Sequence, residues 1–277
     1  MSPAGDIVHR LRAPTSTDYE SILRTVRDLV AVLRQIQPVI GVGVSAPGKE
    51  EASGLMTNSN AKGLNGRPFA ADLKKVLDGP VFLANDGDCL ALSEATDGAA
   101  AGAGLVFAAI LGTGVGGGIA FEGKIASGKN HLRGEWGHVP LPWPLPSEYP
   151  GPRCYCGRKG CLEVFVSGKG LEKDYAQATG NMMLAKQIAI DSSIPCTTAR
   201  QRYASRLARG LAMVVNILDP NVIVLGGGAS NMDFLYDVLP PLMKKWVFGG
   251  KCDTPIRQSL HGDSSGVRGA AWLSSGA

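Results

Sequence analysis

Residues 106–124 read VFAAILGTGVGGGIAFEGK. Two apolar runs, Leu105–Leu111 and Ile119–Phe121, flank the glycine-rich Gly112–Gly118, a pattern that predicts a β-hairpin. The same glycines satisfy G-x-G-x-x-G. A dinucleotide fingerprint opens a helix, however, whereas these residues run into a strand, which argues against a dehydrogenase. A glycine turn carrying the Thr113 hydroxyl can still cradle phosphate, because backbone N–H groups converge there. Spacing alone equally allows an ordinary tight hairpin.

Outward from the hairpin the chain alternates strands with helices, which predicts an α/β architecture. Residues 15–37 read as a helix, with Thr17 and Glu20 at capping-box spacing and Ile22, Val26, Leu29, Val30, Leu33 and Ile36 on one face. A buried strand is expected at Val39–Val44, closed by Pro47-Gly48. Another apolar run, 80–84, ends in Asn85-Asp86 and leads into a helix through Leu90 to Ala95. The Gly/Ala-rich 98–104 reads as a turn between lobes. A long helix is predicted near 197–218, with Tyr203, Leu207, Leu211, Val214 and Leu218 inward. The strand Val222–Leu225, the turn Gly226-Gly227-Gly228 and a helix from Asp233 come next, with Pro240-Pro241 expected to interrupt or restart that helix. A glycine turn between a buried strand and a helix is where α/β folds bind ligands, and small residues there would admit a nucleobase and ribose; a plain strand-to-helix turn is the alternative.

Composition excludes several classes. The 277 residues are 44% hydrophobic and 19% charged with a net charge of +4, and the Lys and Arg are dispersed, so no block suggests a nucleic-acid partner. No apolar run approaches the roughly 20 residues of a membrane span, and no secretory signal pattern opens the chain. A cytoplasmic location is expected. Gly123–Asn130 falls one residue short of a P-loop and lacks its Ser or Thr. Ser45 lacks the last glycine of a hydrolase elbow, and His261, Asp263 and Ser264 match no triad order.

Three of six cysteines fall within eight residues, and with His138 they give H-x15-C-x-C-x4-C through Cys154, Cys156 and Cys161. One imidazole and three thiolates make a common closed zinc site. Residues 139–160 hold six prolines and little periodicity, so a metal clip would fix an otherwise loose segment. Free or disulfide-bonded thiols are the alternative. Cys89, Cys196 and Cys252 read as small core residues.

Asn85-Asp86 at a strand end would face a cleft, where a carboxylate could accept a proton from an attacking hydroxyl. An Asp at a helix start is also a common N-cap. Glu135 and Glu163 flank the proposed metal ligands. With Asn85, Asp86 and His138 they are the chemical types that hold sugar hydroxyls. If a metal takes one ring nitrogen of His138, the other stays available as a fixed donor to a sugar oxygen.

Taken together, these segments resemble the ROK family (repressors, open reading frames, kinases). GEWGHVPLPWP with CYCGRKGCLEVFVSG looks like its signature, and ANDGDCLALSEATDGAAAGA, the hairpin, VNILDPNVIVLGGGASN and HGDSSGVRGAAWL are similar throughout. The insertion carrying LPWP looks most like bacterial fructokinases. The resemblance implies an actin-like (ribonuclease H-like) ATPase fold with two lobes around a cleft. The expected division is a first lobe at 1–98 and a second at 99–277, with a zinc-bound segment at 134–166 and a terminal helix near 264–275 packing back on the first lobe. It further implies Asp86 as catalytic base, and Asn85, Asp86, Glu135, His138 and Glu163 as sugar ligands. Gly112, Thr113, Gly114, Gly227 and Gly228 would contact ATP. His138, Cys154, Cys156 and Cys161 would hold Zn²⁺, and Mg²⁺ would accompany ATP. The expected reaction is phosphorylation of a hexose, fructose foremost, at its 6-hydroxyl, by a homodimer that binds neither nucleic acid nor membrane. Glucose, mannose or an N-acetylated hexosamine are alternative substrates. A catalytically silent sugar-binding zinc protein is a further alternative. A repressor would need an N-terminal helix-turn-helix, for which these residues leave no room.

One departure stands out. Family members open with a D-x-G-G-T phosphate loop, which no segment here supplies. Residues 1–14 instead resemble the stretch just after that loop, a turn at Ala4-Gly5 and a strand from Asp6 to Arg12. The expectation is an incomplete N-terminal lobe with exposed strand edges and weak phosphoryl transfer.

Overall fold

The computed structural model describes residues 1–274, so the expected ends of the last helix at 275 and of the second lobe at 277 lie outside the described residues. In chain order the helices are α1 Tyr19–Ile36, α2 Phe69–Leu77, α3 Asp86–Thr96, α4 Glu163–Val166, α5 Gly168–Thr179, α6 Ala185–Ile190, α7 Ile194–Leu218, α8 Phe234–Met243 and α9 Ser265–Leu273. The strands are β1 Val42–Ala46, β2 Lys49–Glu50, β3 Met56–Thr57, β4 Val81–Asn85, β5 Leu105–Leu111, β6 Val115–Phe121, β7 Lys124–Ile125, β8 Val222–Gly226 and β9 Ile256–Gln258.

The larger sheet has the order β7-β6-β5-β8-β9, with β5–β6 antiparallel and β5–β8–β9 parallel. Strand alternation sends Phe107, Ala109 and Leu111 to one face and Val106, Ala108 and Ile110 to the other. The first face joins the main core, which takes Leu207 and Leu211 from α7 and Leu235 and Leu239 from α8. The second face is covered by α3 through Leu90, Ala91 and Ala95. A separate core lies between α1, α2 and the parallel pair β1–β4.

Helix α9 packs on α3, β1 and β4. The approach is close enough that a Cβ on Gly43 would overlap the Ala270 carbonyl, and one on Gly269 would overlap that of Cys89. Only glycine permits such backbone contact.

Several boundaries differ from the sequence reading. Asp18, not Thr17, caps α1 by accepting from the Ser21 N–H at 2.8 Å. β1 runs 42–46 rather than 39–44, because its ladder is set by β4, pairing Val42 with Val81 and Ala46 with Asn85. The hairpin turn narrows to Gly112–Gly114, and the remaining glycines lie inside β6. α8 continues through Pro240 and Pro241, held by the buried Leu239 and Met243. The strand expected at 6–12 is not formed. That stretch has no ladder partner among the described residues and runs past the start of α9, where Arg10 donates to Ser264 at 2.8 Å.

The proline-rich insertion is anchored by Glu148, which accepts from Arg206 and Arg209 of α7 at 2.8 Å. Burial alone would raise the Glu148 carboxyl, but the Arg209 and Arg206 hydrogen bonds outweigh it and hold it at about 2. Its stabilisation is therefore complete above the ordinary carboxylate pKa and is lost as pH falls towards 2. Glu148→Ala leaves two guanidinium groups short of a buried partner and is expected to cost about 3–5 kcal/mol in urea unfolding at pH 7. The difference from wild type should shrink on acidification; a constant difference would contradict this role.

Candidate active site

A cleft of about 790 Å³ opens between the β1–β4 side and the hairpin, lined among others by Asn85, Asp86, Gly112–Gly117, Glu135, His138 and Glu163. All five residues expected to hold a sugar thus line one cavity.

The Asn85-Asp86 ambiguity resolves by division of labour. Asn85 is the N-cap, accepting from the Gly87 N–H at 2.8 Å, while its amide donates to the Gly48 carbonyl at 2.8 Å. Asp86 begins α3 without capping it, and its carboxylate accepts from the Ser45 hydroxyl at 2.6 Å. The N-terminal end of a helix favours a carboxylate there.

Backbone contact brings this turn against the hairpin. A Cβ on Gly87 would overlap the Gly117 carbonyl, one on Gly118 would overlap that of Gly87, and one on Gly134 would overlap Gly117 again. Gly117 and Gly118 in β6 are therefore called for by close approach from two sides rather than by the turn, whereas a Cβ on Gly116 would meet open space. Glu163 closes the far wall, accepting from the Val115 N–H at 2.9 Å.

The donor atoms of His138, Cys154, Cys156 and Cys161 lie within 4.8 Å of one another. Cys154 Sγ stands 3.7 Å from His138 Nδ1, and the Cys156 and Cys161 sulfurs are 3.6 Å apart. These are edge lengths suited to a small tetrahedral ion with sulfur and nitrogen ligands. Burial and then the Cys156 thiol push the Cys161 thiol up to about 12, and a bound cation would favour its thiolate. His138 Nε2, expected to stay available to a sugar oxygen, meets the Tyr155 hydroxyl at 2.9 Å. Burial, with Glu163 and Glu135 adding, pushes that phenol up to about 12.

A second cavity of about 460 Å³ adjoins the first and shares Gly112 and Thr113 with it. Gly228 lines it, and Lys169 and Lys186 add positive charge. Gly227 is left-handed (φ +83°), and a Cβ there would press on the Leu111 backbone. Of the five residues expected at ATP, Gly112 and Thr113 join the two cavities, Gly114 lines the first, Gly228 lines the second and Gly227 shapes the turn at the end of β8.

The sequence reading missed Ser45, which bonds Asp86, and Asn58, Asn60 and Tyr155, which line the cleft. It also missed the Asp88–Arg133 ion pair at 2.8 Å. Burial pushes the Asp88 carboxyl up to about 6 against the pull of Arg133. Ser45 and Asp88 each sit within a few residues of a recognised signal, but their facing across elements is a property of the fold.

The chain matches the ROK family over residues 2–277. It belongs to the ROK family. Another ROK protein, the ROK hexokinase of Thermus thermophilus, shares its fold with a TM-score of 0.83 at 27% identity, over 95% of this chain and 90% of that one. The ROK family glucokinase of Streptomyces griseus, solved with glucose and AMPPNP, gives a TM-score of 0.82 at 24% identity, over 100% and 94%. The fold is accordingly the actin-like ATPase fold of ROK sugar kinases. The N-acetyl-D-glucosamine kinase of Vibrio cholerae serotype O1 is 38% identical over 274 residues, covering 95% of this chain and 90% of that protein. The closeness to fructokinases expected from the LPWP insertion gains no support from these relatives. Among the described residues no helix is long and apolar enough to cross a membrane.

Gly118→Ala would force α3 and the hairpin apart at Asp86. It is expected to cost about 1–3 kcal/mol of stability as an overpacked contact, read by urea unfolding. A variant as stable as wild type would contradict the backbone contact.

Proposed function

We propose that this ROK protein is an ATP-dependent hexose kinase acting on the 6-hydroxyl, with N-acetyl-D-glucosamine the favoured substrate. The observation that carries the reading is the placement of Asp86 across one cleft from the Gly112–Gly114 turn, where a second cavity joins the first. The preference for an N-acetylated sugar over fructose is supported by the name of the 38% identical Vibrio cholerae relative.

In this reading Asn85, Glu135 and Glu163 hold the sugar hydroxyls, His138 joins them when its Nε2 exchanges the Tyr155 hydroxyl for a sugar oxygen, and Asp86 accepts the proton of the attacking hydroxyl. The sugar oxygen bonds to the γ-phosphorus as the bond to the bridging oxygen breaks, and ADP leaves. The Gly112–Gly114 backbone and the Thr113 hydroxyl receive the phosphates, while Gly227 and Gly228 border the adenosine. Phosphoryl transfer depends mainly on positioning and on neutralising charge, and Mg²⁺ bound with ATP supplies part of that neutralisation. Ser45 donates to Asp86 and holds one carboxylate oxygen in place.

His138, Cys154, Cys156 and Cys161 would hold zinc in a structural role. The ion would fix Glu163, two residues beyond Cys161, and the His138 ring at the cleft wall. We also propose that the protein works as a homodimer, on family grounds.

A coupled ADP-release assay with N-acetylglucosamine, glucose, mannose and fructose tests the reading. The expected result is weak turnover, with the highest kcat/KM for N-acetylglucosamine. Asp86→Asn is expected to lose about 10²–10⁴-fold in kcat while still binding sugar. Sugar binding without turnover by wild type would instead favour a silent sugar-binding protein, and unaltered kcat in Asp86→Asn would remove the base.

Elemental analysis of purified protein should find one zinc per chain, and Cys161→Ser should lose it along with protection of residues 139–160 from proteolysis. A chain that binds no metal, or a Cys161→Ser variant that retains it, would contradict the zinc clip.

A further inference from the structure

The Asp88–Arg133 pair lies outside the roles given so far. Asp88 is in the first turn of α3, two residues after Asp86, and Arg133 is two residues before Glu135. Residues two apart on a helix point to nearly opposite sides. Asp86 therefore faces the cleft and Ser45, while Asp88 turns to the loop that carries Glu135.

The backbone of Gly134, pressed on Gly117, fixes the height of that loop above β6, but few side chains of the described residues tie it sideways. Residues 128–132 are exposed and lie outside helices and strands. Among the described residues their hydrogen bonds are short-range turn contacts, such as His131 N–H to the Gly128 carbonyl at 3.1 Å, and one exposed tie from Lys49 to the Asn130 carbonyl at 3.3 Å. Beyond Glu135 the chain is fixed again by Trp136, whose indole donates to the Gly116 carbonyl at 2.8 Å. On the near side the Arg133 Nη2 contact to Asp88 Oδ2 at 2.8 Å is a part-buried side-chain anchor, with side chains 19% and 8% exposed.

Stability does not account for this pair. Asp88 Oδ1 and Arg133 Nε are buried and have no hydrogen-bond partner among the described residues. A buried pair with orphaned atoms recovers desolvation poorly, and apolar replacements of similar size are often as stable or more so. What the pair does achieve is geometric, since it ties the helix of the proposed base to the loop of a proposed sugar ligand across a single contact.

We propose that Asp88 and Arg133 form a positioning pair that sets Glu135 against the sugar relative to Asp86. The inference rests on the kinase reading above. Neither side chain touches substrate; both act through Glu135.

Calorimetric sugar binding and steady-state kinetics on Arg133→Ala, Glu135→Ala and the double variant test it. Arg133→Ala is expected to weaken N-acetylglucosamine binding about tenfold, within the coupling range for neighbours in one polar network, with KM for ATP unchanged. In the Glu135→Ala background the same change should add less than about twofold, since both act through one contact. Native sugar affinity in Arg133→Ala, or effects that multiply in the double variant, would overturn the proposal. Should Arg133→Ala not fold, Asp88→Asn keeps the shape, removes the charge and must still raise the sugar KM; an unchanged KM there also overturns it. Wild-type protein that binds no hexose would overturn the kinase reading itself and this proposal with it, whereas wild-type binding beside an unaffected Arg133→Ala removes only the positioning role.

Discussion

The first turn of α3 rests backbone to backbone on the glycine strand β6, and a Cβ at Gly87 or Gly118 would fill the space where the two meet. This contact fixes how far Asp86 stands from the Gly112–Gly114 turn. It also fixes the face of the large sheet that α3 covers, since Leu90, Ala91 and Ala95 lie further along the same helix and pack on Val106, Ala108 and Val224. α9 extends the arrangement by pressing Gly269 onto Cys89 and Ala270 onto Gly43, so β1 and the larger sheet are linked through two helices in glycine contact. Side-chain burial around these contacts supplies most of the stabilisation, while the glycines set the spacing.

The opposite wall of the cleft uses different physics. Residues 139–160 have few periodic apolar positions, and their order comes from point attachments. Glu148 is held by two arginines of α7, Leu141 N–H reaches the Gly160 carbonyl at 2.8 Å, and one histidine and three cysteines converge at the rim. The anchored segment leads from the short helical turn that ends at His138 to Glu163, the first residue of α4, so its attachments hold these two residues on one wall of the cleft. The cleft thus joins a rigid α/β face to a stapled loop.

Much of this was legible in the sequence because the signals were local. Strand–Asn–Asp–helix, the glycine hairpin, H-x15-C-x-C-x4-C and the turn after β8 each lie within one short segment, and the structure brings their residues to two adjoining cavities. Boundaries were less legible where a partner decides them. β1 shifts by two to three residues because β4 sets its register, and Gly117 and Gly118 of β6 read as turn residues until α3 and Gly134 are seen pressing on them. Residues 6–12 have strand-like composition, but a strand exists only with a ladder, and this stretch runs past the start of α9 instead. Ser45, Tyr155 and the Asp88–Arg133 pair were invisible for the same reason, since each is defined by the groups that face it across elements. The sugar preference turned on the LPWP insertion, which lies in the anchored loop and carries no direct information about the hexose.

The proposed kinase reading makes one geometric demand above the others: a hexose should lie between Asp86 and the Gly112–Gly114 turn with its 6-hydroxyl towards Asp86. A crystal structure with N-acetylglucosamine and a non-hydrolysable ATP analogue tests it most directly. The account predicts the 6-hydroxyl oxygen within hydrogen-bond distance of the Asp86 carboxylate, the γ-phosphate at the glycine turn, and adenosine beside Gly228. A sugar seated away from Asp86, or a nucleotide outside the cavity that shares Gly112 and Thr113, would contradict it.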